Sequence, residues 1–116
     1  MGTRGVCKIY SLWSWVNDSS SKNPQIKFGD FLVYNGTTTS GSITFSDCRI
    51  VRNINSASVQ RSSFGLTSSN SFTTTSSAIP TGTFNTSNDT PIIISCNPGT
   101  NTVNLIHAFA EVTYIP

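Results

Sequence analysis

The sequence TVNLIHAFAEVTYI, residues 102–115, decides how the rest of this chain is interpreted. It contains neither Gly nor Pro, and its flanks are rich in β-branched and aromatic residues, which favours a strand over a helix. Read with a period of two, one face carries Val103, Leu105, His107, Phe109, Glu111, Thr113 and Ile115, and the other carries Asn104, Ile106, Ala108, Ala110, Val112 and Tyr114. Because both faces are largely apolar, the strand is predicted to be buried on both sides. In so small a chain, a second subunit is a candidate for its second partner.

The composition is polar without being charged. Only 10% of the 116 residues are charged, against roughly 25% in typical domains, whereas Ser, Thr and Asn together make up 46 residues. The net charge of +2 is scattered, so the dense basic patch of a nucleic-acid-binding protein is missing. No apolar run reaches the roughly 20 residues of a membrane span, and the N-terminus lacks the apolar core of a signal peptide. Neither nucleic acid nor a membrane is therefore expected as a partner.

Further strands are predicted where apolar residues alternate between turn signals. The clearest segments are residues 5–16, 25–35, 42–45, 48–54 and 91–96, with weaker ones at 57–66 and 78–84. Gly29 is expected to mark a bend or bulge inside its segment. Residues 31–46 are predicted to form a hairpin. The Ser/Thr-rich run at 67–77 suits extended structure, either as a strand or as an arm that binds a partner.

The segment PIIISC, residues 91–96, is short and fully apolar, which is typical of a central strand. The strong turn signal NPGTN at 97–101 follows it, so the segment is expected to form a hairpin with the last strand. About eight short strands with Gly/Asn/Ser turns indicate an all-β sandwich or barrel. Residues 1–116 are expected to form a single β-sandwich domain, since this length suits one core.

Two tryptophans stand out in the first segment. Trp13 and Trp15 are two residues apart, so they lie side by side on one face of the predicted strand. The favoured interpretation is that they fill the core or a subunit contact. The alternative is a platform on which a sugar ring stacks, and Tyr34 and Tyr114 are further candidates for such stacking.

Catalytic and metal-binding motifs do not emerge from the sequence. His107 is the single histidine, and Glu111, four residues along the strand, would lie about 13 Å away. Cys7, Cys48 and Cys96 are about forty residues apart and form no zinc motif; without a secretion signal, they are expected to be reduced and buried. We therefore predict no catalytic residues, no cofactor and no metal, and a protein that is not an enzyme.

The sequence PIIISCNPGTNTVNLIHAFAEVTYIP resembles the terminal strands of small jelly-roll modules in viruses. These modules include trimeric heads of phage fibres, TNF-like knobs and capsid decoration proteins. The chain is similar to them in composition and pattern over its full length: it is rich in Ser, Thr and Asn, has few charges and ends in a long apolar strand. The resemblance implies a jelly-roll-like antiparallel β-sandwich of about eight strands.

The resemblance also implies a symmetric homo-oligomer, often a trimer, attached to a larger particle. The expected role is a non-catalytic structural protein on the surface of a virion, with a phage as the expected virus, made in the host cytoplasm. It would decorate or stabilise the capsid or tail, in contact with a major capsid or tail protein. The alternative role is a receptor- or carbohydrate-binding module such as a fibre head, which binds a host-surface glycan through Trp13, Trp15 and Tyr34. Expected interface residues are Trp13, Trp15, Leu105, His107, Phe109 and Tyr114.

Overall fold

The computed structural model describes residues 1–16, 20–36, 44–64, 81–100 and 102–116. In these ranges the chain forms eight strands and no helix. The strands are β1 (Val6–Trp15), β2 (Asn23–Phe28), β3 (Phe31–Asn35), β4 (Thr44–Asn53), β5 (Gln60–Phe64), β6 (Thr81–Gly82), β7 (Ile92–Asn97) and β8 (Val103–Thr113). A helix long and apolar enough to cross a membrane is accordingly not found in the described part of the chain.

The strands form two antiparallel sheets that pack against each other. The larger sheet has the order β6-β5-β4-β1-β8, and the smaller has the order β3-β2-β7. The residues buried between them are Cys7, Ile9, Ile26, Phe28, Phe31, Val33 and Val51. The predicted all-β sandwich is therefore confirmed.

Strand β1 lies between β4 and β8 in the larger sheet, and its side chains alternate between the core and the outside. Cys7, Ile9, Ser11, Trp13 and Trp15 are buried, and the residues between them are exposed or half-buried. Its two edges pair with β4 and β8, with Val6 opposite Arg52 on one side and Thr113 on the other. The predicted strand at 5–16 is confirmed, together with its tryptophan-bearing face.

Gly29 provides the turn between β2 and β3. Its φ is +63°, in the region that favours glycine, and a Cβ atom at this position would overlap the ring of Phe84. The bend predicted at Gly29 is therefore confirmed, and the segment 25–35 forms a β2–β3 hairpin with Gln25 opposite Asn35.

Both predicted hairpins are wrong. Strand β3 pairs with β2, whereas β4 pairs with β1 and β5, so the strands at the two ends of the segment 31–46 lie in different sheets and do not form a hairpin. Likewise β7 pairs with β2, and β8 pairs with β1. The turn signal at 97–101 marks a change of direction, but a turn does not fix whether the next strand joins the same sheet.

The prediction that residues 91–96 form a central strand is also wrong. Strand β7 is at the edge of the smaller sheet, and its residues alternate between half-buried and exposed, with Ile93 48% exposed. Ile92 and Ile94 are half-buried and pack against the core, which explains part of the apolar run. The predicted extended run at 67–77 lies outside the described residues.

A buried polar network closes one end of the sandwich. The side-chain amide of Asn53 donates to the carbonyl of Gly2 and to Oγ1 of Thr86, each at 2.7 Å, and its oxygen accepts from Nε2 of Gln60 at 2.9 Å. Thr86 and Gln60 each also donate to the carbonyl of Ala57, at 3.0 and 3.1 Å. Since these groups are withdrawn from water, their mutual bonds hold the N-terminus and two loops against the sheet.

Candidate functional site

The last strand is exposed on both faces, so the prediction that it is buried on both sides is wrong for the single chain. Its residues are all exposed except Val103, which is half-buried. The exposed fraction is 42% for Leu105, 58% for Ile106 and 60% for Val112. The reason is topological: β8 is the outermost strand of the larger sheet and pairs, among the described strands, with β1 alone. A long, largely apolar strand is therefore exposed along both faces.

An aromatic cluster lies on the outer face of β1 and β8. Tyr10 and Phe109 are opposite each other in the register, and their rings stack at 4.4 Å with an interplanar angle of 13°. The ring of His107 lies 5.3 Å from that of Phe109. Leu12, opposite His107, is 40% exposed. We call Tyr10, Leu12, His107 and Phe109 the outer cluster.

Tyr10 connects the outer cluster to polar groups. Its hydroxyl donates to Oε2 of Glu111 at 3.5 Å. Desolvation raises the pKa of Tyr10, and the neighbouring Cys48 and Glu111 raise it further. The phenol therefore stays protonated and remains a hydrogen-bond donor at neutral pH. A shallow hollow of about 350 Å³ lies beside it, lined by the outer cluster with Ser11, Ser46, Asp47 and Cys48.

A second depression lies between β8 and β7, the edge strand of the smaller sheet. This groove, of about 540 Å³, runs between β7 and β8 with Trp13 in its wall, and its other lining residues include Ile94, Cys96, Val103 and Leu105. Strands β7 and β8 each end a sheet, so the groove is the open side of the sandwich. Apolar residues of β8 therefore lie in the outer cluster, in the wall of the groove and along the free edge of the strand.

The positions of the tryptophans disagree with the glycan-stacking hypothesis, which requires exposed rings. Trp13 and Trp15 are each 4% exposed, and Trp15 stacks against Phe45 at 6.0 Å. They fill the interior, which is the favoured interpretation of the sequence, so they form neither an exposed sugar platform nor an exposed subunit contact. Neither indole N–H has a hydrogen-bond acceptor among the described residues.

Tyr34 is half-buried, and neighbouring side chains already contact its ring. The guanidinium carbon of Arg49 lies 3.8 Å above the ring centre, and Phe45 is stacked nearly parallel at 6.1 Å. Arg49 is itself held by Asp47, with Nε 2.7 Å from Oδ2. These contacts occupy the ring that the glycan-stacking hypothesis requires to be available.

The remaining predicted interface residues, Leu105, His107, Phe109 and Tyr114, are all exposed, and Tyr114 is 70% exposed. The structure brings His107 and Phe109 together in the outer cluster. Tyr10 and Leu12 are members of that cluster that the sequence analysis did not single out. Their signal was present, because both belong to the alternate face of β1 that does not carry the tryptophans.

The reactive side chains are dispersed. Among the described residues, no group of three or more His, Cys, Asp or Glu side chains is placed to hold a metal ion. The three cysteines are free thiols; Cys7 is buried, as expected, whereas Cys48 and Cys96 are only half-buried. Burial raises the pKa of Cys7 to about 11, and desolvation also raises the pKa of Cys96. These two thiols are therefore poor nucleophiles at neutral pH.

Comparison with known proteins adds no relative: no family model, curated protein or solved structure matches the chain.

Proposed function

We propose that this protein is a non-catalytic structural subunit of a virus particle, that of a phage, and that it self-associates through β8. It would be exposed on the particle surface, where it decorates or stabilises the capsid or tail. The observation that carries the proposal is the exposure of β8, the longest of the described strands and a largely apolar one, along both faces. Apolar surface of this kind marks an interaction site.

The rest of the surface supports a structural role. Ser, Thr and Asn account for 46 of the 116 residues and charges for only 10%, so the surface is hydrated without strong fields. The outer cluster and the groove are shallow and sit beside the same strand. The resemblance to trimeric virion modules adds the expectation of a closed oligomer and of a capsid or tail protein as a second partner.

The particle role is tested by quantitative mass spectrometry of virions purified from the source of the sequence. The proposal predicts peptides of this chain in the particle band at many copies per virion. Detection only in the soluble fraction, with purified particles free of the chain, would contradict the particle role. It would not by itself contradict self-association through β8.

A receptor- or carbohydrate-binding module is the second candidate, and the hollow beside the outer cluster is the observation that favours it. The hollow combines the edges of Tyr10 and Phe109 with polar groups of Asp47 and His107. However, Tyr10 and Phe109 already cover one ring face of each other, which leaves less stacking surface for a sugar. A glycan array, with Phe109→Ala as the control variant, tests this function: binding lost on substitution would support it.

A further inference from the structure

One edge of β8 carries backbone groups that have no strand partner in the described part of the chain. Two hydrogen bonds show which neighbour each residue faces. The N–H of Asn53 in β4 donates to the carbonyl of Gly5, so the carbonyl of Gly5 points to β4. The N–H of Arg4, just before β1, donates to the carbonyl of Ile115, just after β8, so the carbonyl of Ile115 points to the β1 side. Since successive residues of a strand direct their backbone groups to opposite edges, Thr113, Glu111, Phe109 and His107 face β1. The backbone groups of Ala108, Ala110 and Val112 therefore point away from β1, to the edge where no described strand pairs.

Between His107 and Thr113, this edge has no Lys, Pro or bulge to protect it. Natural edges are blunted by short length, by Lys or Pro, or by bulges. Strand β8 has 11 residues without Lys or Pro, and its pairing with β1 is irregular only near Ile106, where Trp13 is opposite Leu105. From His107 to Thr113 the register is regular, and the outward-facing residues Ala108 and Ala110 have small side chains. Another strand can therefore approach closely.

We propose that β8 pairs with β8 of a second copy of this chain, antiparallel across a two-fold axis at Phe109, so that the larger sheets of two copies form one continuous sheet. The proposal rests on the self-association put forward above and specifies its interface. It commits to a dimeric contact, in contrast to the trimer that the resemblance implies.

The polar side chains of the strand favour this register. His107 and Glu111 are the only ionisable side chains of β8, and both lie on the outer face, two residues to either side of Phe109. With the axis at Phe109, each His107 is opposite Glu111 of the other copy, which gives two complementary pairs. An axis at Glu111 would place two carboxylates opposite each other, which destabilises a sheet.

The same register satisfies the free backbone groups. Ala108 is opposite Ala110 of the other copy, and both residues direct their N–H and C=O outward, so each such pair exchanges two hydrogen bonds. The two Phe109 rings meet at the axis, beside the two Tyr10 rings on which they stack. Aromatic cross-strand pairs of this kind stabilise antiparallel sheets.

Proline at Ala110 tests the pairing without breaking the β1–β8 ladder, because the N–H of Ala110 faces the free edge. Ala110→Pro removes the two symmetric N–H donors and is expected to weaken the dimer on the order of 100-fold. The comparison variant is Val112→Pro, whose N–H faces the same edge but would be opposite Ile106, where the strand is irregular, and which is expected to weaken the dimer less than Ala110→Pro. Circular dichroism and tryptophan fluorescence verify that both variants fold. Equal association of the native chain and Ala110→Pro would overturn the proposal.

Cross-linking tests the register itself. At the axis, the two Cα atoms of residue 109 would lie about 4.5 Å apart, within the range of about 4.4–6.8 Å for a disulfide. In a Cys48→Ser, Cys96→Ser background, Phe109→Cys is expected to form a covalent dimer under mild oxidation. Thr113→Cys is the control, because its two copies would be about 27 Å apart, eight residues along the strand, and it should not cross-link.

The outcomes separate this interface from the proposed function. A dimer with cross-linking at residue 109 supports both. A trimer that Ala110→Pro leaves intact, with no cross-link at residue 109, overturns the β8–β8 pairing but agrees with an oligomeric particle subunit. A chain that stays monomeric at every concentration overturns the pairing, and mass spectrometry of virions then decides the particle role separately.

Discussion

Asn53 is expected to be one of the most sensitive polar positions in this fold. It is 3% exposed, and its amide makes three hydrogen bonds, to Gly2, Thr86 and Gln60. Each buried hydrogen bond contributes about 1 kcal/mol net, so Asn53→Ala is expected to lower the free energy of unfolding by about 3 kcal/mol. Thr86 and Gln60 keep their bonds to Ala57, which limits the loss. This is a large fraction of the roughly 5–15 kcal/mol typical of a domain.

Urea denaturation followed by tryptophan fluorescence measures this loss, since Trp13 and Trp15 are buried and become exposed on unfolding. Protein concentration is held constant because association contributes to apparent stability. The exposed Asn88 is the matched control, and Asn88→Ala is expected to change stability by less than about 0.5 kcal/mol. A loss below about 1 kcal/mol for Asn53→Ala would refute the view that these bonds hold the end of the sandwich.

Two further predictions concern the turn and the buried thiol. Gly29→Ala is expected to destabilise the fold by about 1–3 kcal/mol, because it places a Cβ at positive φ against Phe84. Thermal melting measures this, with Asp30→Ala as the control at an exposed site. Equal melting temperatures for the two variants would contradict the prediction. Folding raises the pKa of Cys7 from 9.0 to about 11, so the folded state holds that proton more tightly. The stabilisation from Cys7 is therefore complete below pH 9 and is lost as pH rises towards 11. Urea titrations at several pH values should show that Cys7→Ala loses less unfolding free energy at alkaline pH than the native chain. Identical pH profiles for the two proteins would contradict this.

Local sequence patterns predicted most of the strands. Alternation placed β1 and its tryptophan-bearing face, and Gly29 marked the β2–β3 turn. The pairing of strands was not predictable in the same way. β3 and β4 lie in different sheets, and so do β7 and β8. A turn sequence specifies local backbone angles without specifying the partner of the next strand.

The candidate site was predicted in composition but not in environment. The apolar period-two pattern of residues 102–115 identified the strand, and burial on both faces was inferred from that pattern. The structure leaves β8 at a sheet edge, with Leu105 and Phe109 42% and 44% exposed. An apolar pattern predicts that a surface will be buried, but it does not indicate whether the same chain or another one buries it. The outer cluster required the β1–β8 register, which places Tyr10 opposite Phe109.

Sedimentation velocity of the native chain and of Ala110→Pro, each over a wide concentration range, tests the central claim most directly. The chain has a mass of 12.5 kDa. The account predicts that the native chain sediments with the mass of two chains as concentration rises, and that Ala110→Pro remains at the mass of one over the same range. A native chain that stays at the mass of one throughout, or a variant that associates as strongly as the native chain, would contradict it.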